Sequence, residues 1–148
     1  MSLEERIESE FKASLKKQDK IKLSTLRMLK ADINNLKLQP NKNKLTDNEV
    51  IKIIQRQVKQ HKDSIEQFEK GKRQDLVDKE KKELEILLTY MPEQMSEEEL
   101  KKIITEVIKE LEATDKSHMG KVIKTVMEKV KGKAEGKTVS RIVSSLLG

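Results

Sequence analysis

The sequence predicts an all-α protein, and three observations carry the prediction. Apolar residues recur at three- and four-residue spacings along the whole chain, and no segment alternates polar and apolar long enough for a strand. Ser2/Glu5, Thr46/Glu49 and Ser96/Glu99 each place a hydroxyl residue three positions before a Glu, the pattern of a helix-opening capping box. Only 5 Gly and 2 Pro punctuate 148 residues, too few for the turns of an antiparallel sheet.

Seven helices follow from these stripes in order. Leu3, Ile7, Phe11 and Leu15 recur every fourth residue behind Ser2, and Leu26, Leu29, Ile33 and Leu36 form a second stripe that Pro40 ends. Behind Thr46, the positions Val50, Ile54, Val58, His61, Ile65 and Phe68 make the longest stripe, with Gly71 placed as its C-terminal stop. Leu76, Val77, Leu84, Leu87 and Leu88 mark a fourth helix, closed by Pro92. Three shorter stripes complete the chain: Leu100, Ile103, Ile104, Val107 and Leu111; Met119, Val122, Ile123, Val126 and Val130; Val139, Ile142, Val143 and Leu146. The lengths predict an N-terminal four-helix domain, residues 1–91, and a compact three-helix C-terminal domain, residues 92–148, with Pro92 in the joint.

Charge is abundant and unevenly placed. Charged residues make up 39% of the chain, against about 25% in an ordinary globular domain, and the net charge is +6. Residues 1–45 carry 11 basic and 6 acidic side chains, and residues 46–92 carry 10 of each. Residues 93–115 carry 3 basic and 8 acidic side chains, whereas residues 116–148 carry 8 basic and only 2 acidic. The C-terminal part thus joins one acidic helix to two basic ones, an arrangement that turns a positive face to a polyanion while the acidic helix points elsewhere.

The candidate nucleic-acid-binding residues are Gly120, Lys121, Lys124, Lys131, Lys133, Lys137 and Arg141. Gly120 sits in the first turn of the sixth helix, where a missing side chain lets a phosphate or a neighbouring backbone come close. Lys133 and Lys137 flank the turn between Gly132 and Gly136, where exposed N–H groups and a helix start favour anions. The competing explanation is a solvated lysine-rich face. One Tyr, two Phe and no Trp exclude a row of aromatic platforms for stacking single-stranded bases.

Candidates for chemistry fall away. Gly132-Lys133-Ala134-Glu135-Gly136-Lys137-Thr138 is one residue short of a phosphate-binding P-loop and follows no strand. With no cysteine, disulfides and thiolate chemistry are excluded, and no His stands at ligand spacing from a carboxylate, so no metal site or cofactor is expected. His61 reads as a partly buried structural imidazole. Glu97, Glu98 and Glu99 suit a helix N-terminus, and Asp75 and Lys79 suit an i,i+4 surface pair. No catalytic residue is assigned. With no apolar segment long enough for a membrane and no cysteine, the expected location is the cytoplasm.

An ordered set of segments carries a family resemblance: Leu26-Arg27-Met28-Leu29-Lys30-Ala31, Lys59-Gln60-His61-Lys62-Asp63-Ser64-Ile65, Arg73-Gln74-Asp75-Leu76 and Lys79-Glu80-Lys81-Lys82-Glu83-Leu84. Tyr90-Met91-Pro92-Glu93-Gln94-Met95, Met119-Gly120-Lys121-Val122 and Lys131-Gly132-Lys133-Ala134-Glu135-Gly136 continue it. In this order and spacing the chain resembles the YqeY family of small bacterial proteins over essentially its whole length. The resemblance implies kinship with the tail of the B subunit of aspartyl/glutamyl-tRNA amidotransferase, a tail that contacts tRNA and performs no chemistry. It implies a non-catalytic tRNA-binding module, with an aminoacyl-tRNA synthetase or an amidotransferase as the class of protein partner and no membrane. The alternatives are a protein-interaction adaptor, marked by an apolar stripe on the third helix where Ile51 and Ile53 flank Val50 and Ile54, or association with glutamine-dependent carbon–nitrogen ligase activity.

Overall fold

Each apolar stripe becomes one helix in the computed structural model, which describes residues 1–148. The helices are α1 (Leu3–Lys17), α2 (Lys20–Lys37), α3 (Asp47–Lys70), α4 (Gln74–Leu88), α5 (Glu97–Glu110), α6 (Met119–Val130) and α7 (Gly136–Leu147). A single 3-10 turn, Lys116–His118, precedes α6, and there is no strand. The chain divides into two compact units, Met1–Met91 and Pro92–Gly148.

Three helix starts are fixed by their hydroxyl caps. At Thr46 the box closes both ways, hydroxyl to the Glu49 N–H and Glu49 carboxylate to the Thr46 N–H. At Ser2 and Ser96 the hydroxyl accepts from the N–H of Glu5 and Glu99. Each cap satisfies a donor that the helix itself cannot.

Unit 1 packs α1 to α4 around Ile7, Leu26, Leu29, Val50, Ile54 and Leu87, all 1% exposed or less. The most extensive pairing is α3 with α4. The α1 stripe departs from expectation at its end: Leu15 is 46% exposed, and Ser14 faces inward instead. Every-fourth-residue spacing advances about 40° around a helix at each step, so by Leu15 the stripe has left the core. Ser14 then satisfies its hydroxyl on the Glu10 carbonyl at 2.8 Å. The third helix does not offer an apolar outer stripe either. Ile53 is 8% exposed and Ile51 packs against the same core, because α3 is contacted by α1, α2 and α4 and buries a broad sector.

Unit 2 buries Leu100, Ile104, Val107, Val122, Val126, Val139 and Val143, each at 1% or less. Leu147 takes the inward place at the end of α7, leaving Leu146 37% exposed. The turn between α6 and α7 begins with two left-handed residues, Lys131 (φ 46°) and Gly132 (φ 84°). It is tied to the start of the unit: the Gln94 amide donates to the Gly132 carbonyl at 3.1 Å, and the Met95 N–H to the Lys133 carbonyl at 2.8 Å.

Candidate nucleic-acid interface

The basic residues of unit 2 stand on the outside of a dry core. Lys121 and Lys124 lie on α6 one turn apart, Lys131 is the residue that caps α6, Lys133 is in the turn, and Lys137 and Arg141 lie one turn apart on α7; all six are exposed. Lys121, Lys124, Lys131, Lys133 and Lys137 form no ion pair, and neither does Lys116. Their charge is available to a ligand.

The helix starts reinforce this. Neither α6 nor α7 has an acidic residue in its first turn, and neither has a side-chain cap. Each places a lysine there instead, Lys121 and Lys137. The first turns themselves thus add positive charge at the positive pole of each helix, while Glu135 is the N-cap residue of α7 and Asp115 caps the 3-10 turn that runs into α6. The start of α5 is the opposite case, with Glu97, Glu98 and Glu99 in its first turn and Ser96 as cap. Gly120 is exposed, and a Cβ built on it would meet nothing within 4 Å, so helix packing does not explain it. Gly132 is explained by its own backbone, since φ 84° is strained for any other residue.

The acidic helix is less segregated than its sequence suggests. Glu97 of α5 pairs with Arg141, and Glu110 of α5 pairs with Lys129 at 3.1 Å. These pairs sit at the two ends of α5, where its carboxylates reach α7 and α6. Arg141 is thereby part-neutralised and differs from the five lysines.

Two further expectations about charge change in unit 1. Asp75 pairs with Arg73 at 3.3 Å rather than with Lys79, because Arg73 stands just before α4 and brings its guanidinium over the first turn. That pairing holds the Asp75 carboxyl below its usual value. Lys30, one of the basic residues that make residues 1–45 net positive, is engaged with Glu8 at 2.8 Å and lies over the Phe11 ring at 4.1 Å. The groove between α2 and α3, about 680 Å³, is lined by Asp32, Lys42, Glu49 and Arg56. Four of its five charged side chains are paired, Lys42 with Glu49 and Arg56 with Asp32, and Lys52 is the fifth.

Sequence reasoning missed one cluster. His61 is buried as expected, but its ring is not alone: Nδ1 bonds the Glu80 carboxylate, and Nε2 lies 3.8 Å from Glu83 Oε2. Glu83 is 3% exposed, and burial pushes its carboxyl up, with the neighbouring Glu80 charge adding to the shift. The expectation that no histidine meets a carboxylate therefore fails. The signal was the three-residue step from Glu80 to Glu83, which puts both on one face of α4. It was hidden because the partner ring comes from α3, nineteen residues earlier.

A sequence profile of the family described as "Yqey-like protein" matches residues 4–147. Among relatives, a Pyrenophora tritici-repentis protein named "Altered inheritance of mitochondria protein 41, mitochondrial" is 32% identical over 146 residues, covering 97% of this chain and 80% of its own. The protein of the same name from Clavispora lusitaniae is 31% identical over 125 residues, covering 80% of this chain and 72% of its own. That from Kluyveromyces lactis is 26% identical over 135 residues, covering 90% and 69%. These names overturn the cytoplasmic expectation, since they assign the relatives to mitochondria. The expectation rested on missing cysteines and missing apolar spans, features that a soluble protein of any reducing compartment shares.

Proposed function

This chain belongs to the Yqey-like family, and from that premise we propose that it is a non-catalytic tRNA-binding module whose contact surface is the basic face of unit 2. On this reading each unit is a domain. Unit 1 supplies a scaffold, and Lys121, Lys124, Lys131, Lys133 and Lys137 meet phosphates, with Arg141 at the margin and Gly120 leaving room for the backbone of the RNA. The observation that carries the reading is the set of exposed lysines without an ion pair, Lys121, Lys124, Lys131, Lys133 and Lys137, two of which stand in the first turns of α6 and α7. Lysine neutralises phosphate as a point charge, and unit 2, with Arg141 as its one Arg and no aromatic residue, has little means of reading base edges. The mode of recognition is shape and phosphate, suited to a folded RNA rather than to a splayed single strand.

Titration of labelled tRNA at several salt concentrations tests it. Affinity should fall steeply and linearly on a log–log plot as salt rises, and a single-stranded oligonucleotide of equal length should bind more weakly. Absence of binding at low salt, or a salt-independent affinity, contradicts it. The adaptor reading loses its distinguishing mark, because the apolar side of α3 is inside unit 1.

A further inference from the structure

The His61 cluster in unit 1 is unused by RNA binding and has the layout of a metal centre, with ligand-type atoms of His61, Glu80 and Glu83 all within 4.8 Å of one another. His61 on α3 is 7% exposed and Glu83 on α4 is 3% exposed. The Glu80 carboxylate holds imidazole Nδ1. Nε2 stands 3.8 Å from the Glu83 carboxylate, beyond hydrogen-bond length, and in the tautomer that donates Nδ1–H to Glu80 it turns its lone pair to that side. A buried carboxylate facing a ring nitrogen too distant for a hydrogen bond is an arrangement that a cation between them would resolve.

We propose that His61 Nε2 and Glu83 are ligands of a divalent first-row transition ion of the zinc type, with Glu80 as the positioning residue that orients the imidazole. The geometry is close to what such an ion needs. Two ligand atoms at bonds of about 2.1 Å and a tetrahedral angle stand roughly 3.4 Å apart, so the 3.8 Å separation closes with a small side-chain adjustment. A histidine bound to a metal usually donates its other N–H to a carboxylate, which fixes the tautomer and raises ligand basicity. Glu80 stands in that place. One imidazole and carboxylates form a mixed nitrogen–oxygen set, which suits zinc or manganese rather than the all-oxygen shells of calcium and magnesium. The Glu80 side chain is 20% exposed, so the cluster reaches solvent on that side. Bound there, the ion would cross-link α3 and α4.

The chain has only two histidines, His61 and His118, so imidazole NMR on the chelator-treated full chain reads the site directly. One equivalent of Zn²⁺ should move the His61 ring resonances, leave those of the exposed His118 in place, and resist an excess of Mg²⁺. Co²⁺ should give visible bands of a low-symmetry nitrogen–oxygen site. Glu83→Gln should abolish both signals, and Glu80→Gln should weaken Zn²⁺ binding by about 10–100-fold. Should Glu83→Gln not fold, the wild-type spectra still decide. His61 resonances that follow pH but ignore Zn²⁺ would make a proton the occupant and overturn the proposal. Equal perturbation of both histidines would do so as well, by showing surface binding only.

Discussion

The two units differ in where they keep their polarity. All five buried polar side chains, Ser14, Thr25, Gln57, His61 and Glu83, belong to unit 1. Its surface charges are also tied between helices, as in Lys37–Glu4 at 2.6 Å and Lys30–Glu8 at 2.8 Å. Unit 2 has an apolar side-chain core and leaves Lys121, Lys124, Lys131, Lys133 and Lys137 without an ion pair outside. Of the buried polar side chains of unit 1, Gln57 donates to the Met28 carbonyl and to Asp32 of α2, and His61 bonds Glu80 of α4, so that both tie helices together. Charges left outside without partners contribute little to stability and remain available for a polyanion. The contrast separates a unit that turns part of its polarity inward from one that leaves cationic groups outside, as the proposed tRNA contact requires.

Core truncations test that division with the largest effects. Leu29→Ala in unit 1 and Ile104→Ala in unit 2, each at a position fully buried, should cost about 2–5 kcal/mol apiece in chemical denaturation followed by residue-resolved NMR. Only Ile104→Ala should remove tRNA binding under conditions where the altered unit unfolds. If Leu29→Ala removes it as completely, the division fails.

Two glycines of unit 2 should respond with opposite signs. Gly132→Ala, at φ 84°, should cost about 1–2 kcal/mol because it places a Cβ in left-handed backbone. Gly120→Ala, in open space within α6, should stabilise by about 0.5–1 kcal/mol yet weaken tRNA binding. A Gly120→Ala protein with undiminished affinity would remove Gly120 from the interface. Within unit 1, Thr46→Ala opens the capping box of α3 and should cost about 1 kcal/mol in a thermal melt, with tRNA affinity unchanged.

Acid should act weakly and mostly on unit 1. Lys30 holds the Glu8 carboxyl below its ordinary 4.5, and Lys42 does the same for Glu49. A carboxylate with a depressed folded-state pKa stabilises fully above the ordinary value and stops doing so as pH falls through the depressed one. In unit 2 the lowered group is Asp115, held by its own neighbour Ser117 in an exposed turn. NMR between about pH 5 and pH 3 should therefore show unit 1 loosening first, and the reverse order would break the comparison.

Much of the fold was legible in the sequence because helix stripes and caps are local. Thr46 and Glu49 are three residues apart and close their box within one turn. The misplacements of Leu15 and Leu146 come from stripes that drift off the buried face. What was not legible was cross-helix partnership. Nothing in the chain order announces that Glu97 meets Arg141, forty-four positions away, that Lys30 is engaged by Glu8, or that His61 meets Glu80 and Glu83. The lysines of the basic face were identifiable as residues, but their freedom from ion pairs is a property of the packed helices.

On the proposed reading, unpaired lysines of unit 2 bind tRNA through its phosphates. The direct measurement is the salt dependence of tRNA affinity for the full chain beside Lys121→Ala/Lys133→Ala/Lys137→Ala. The triple variant should keep its helicity, since exposed lysines usually change stability by about 0.5 kcal/mol or less. It should bind several tRNAs more weakly by similar factors, and its slope of log K against log salt should flatten by roughly 2–3 units, about one for each phosphate that is no longer neutralised. A folded triple variant with unchanged affinity and unchanged slope would contradict the claim and leave the basic face as a solvated surface.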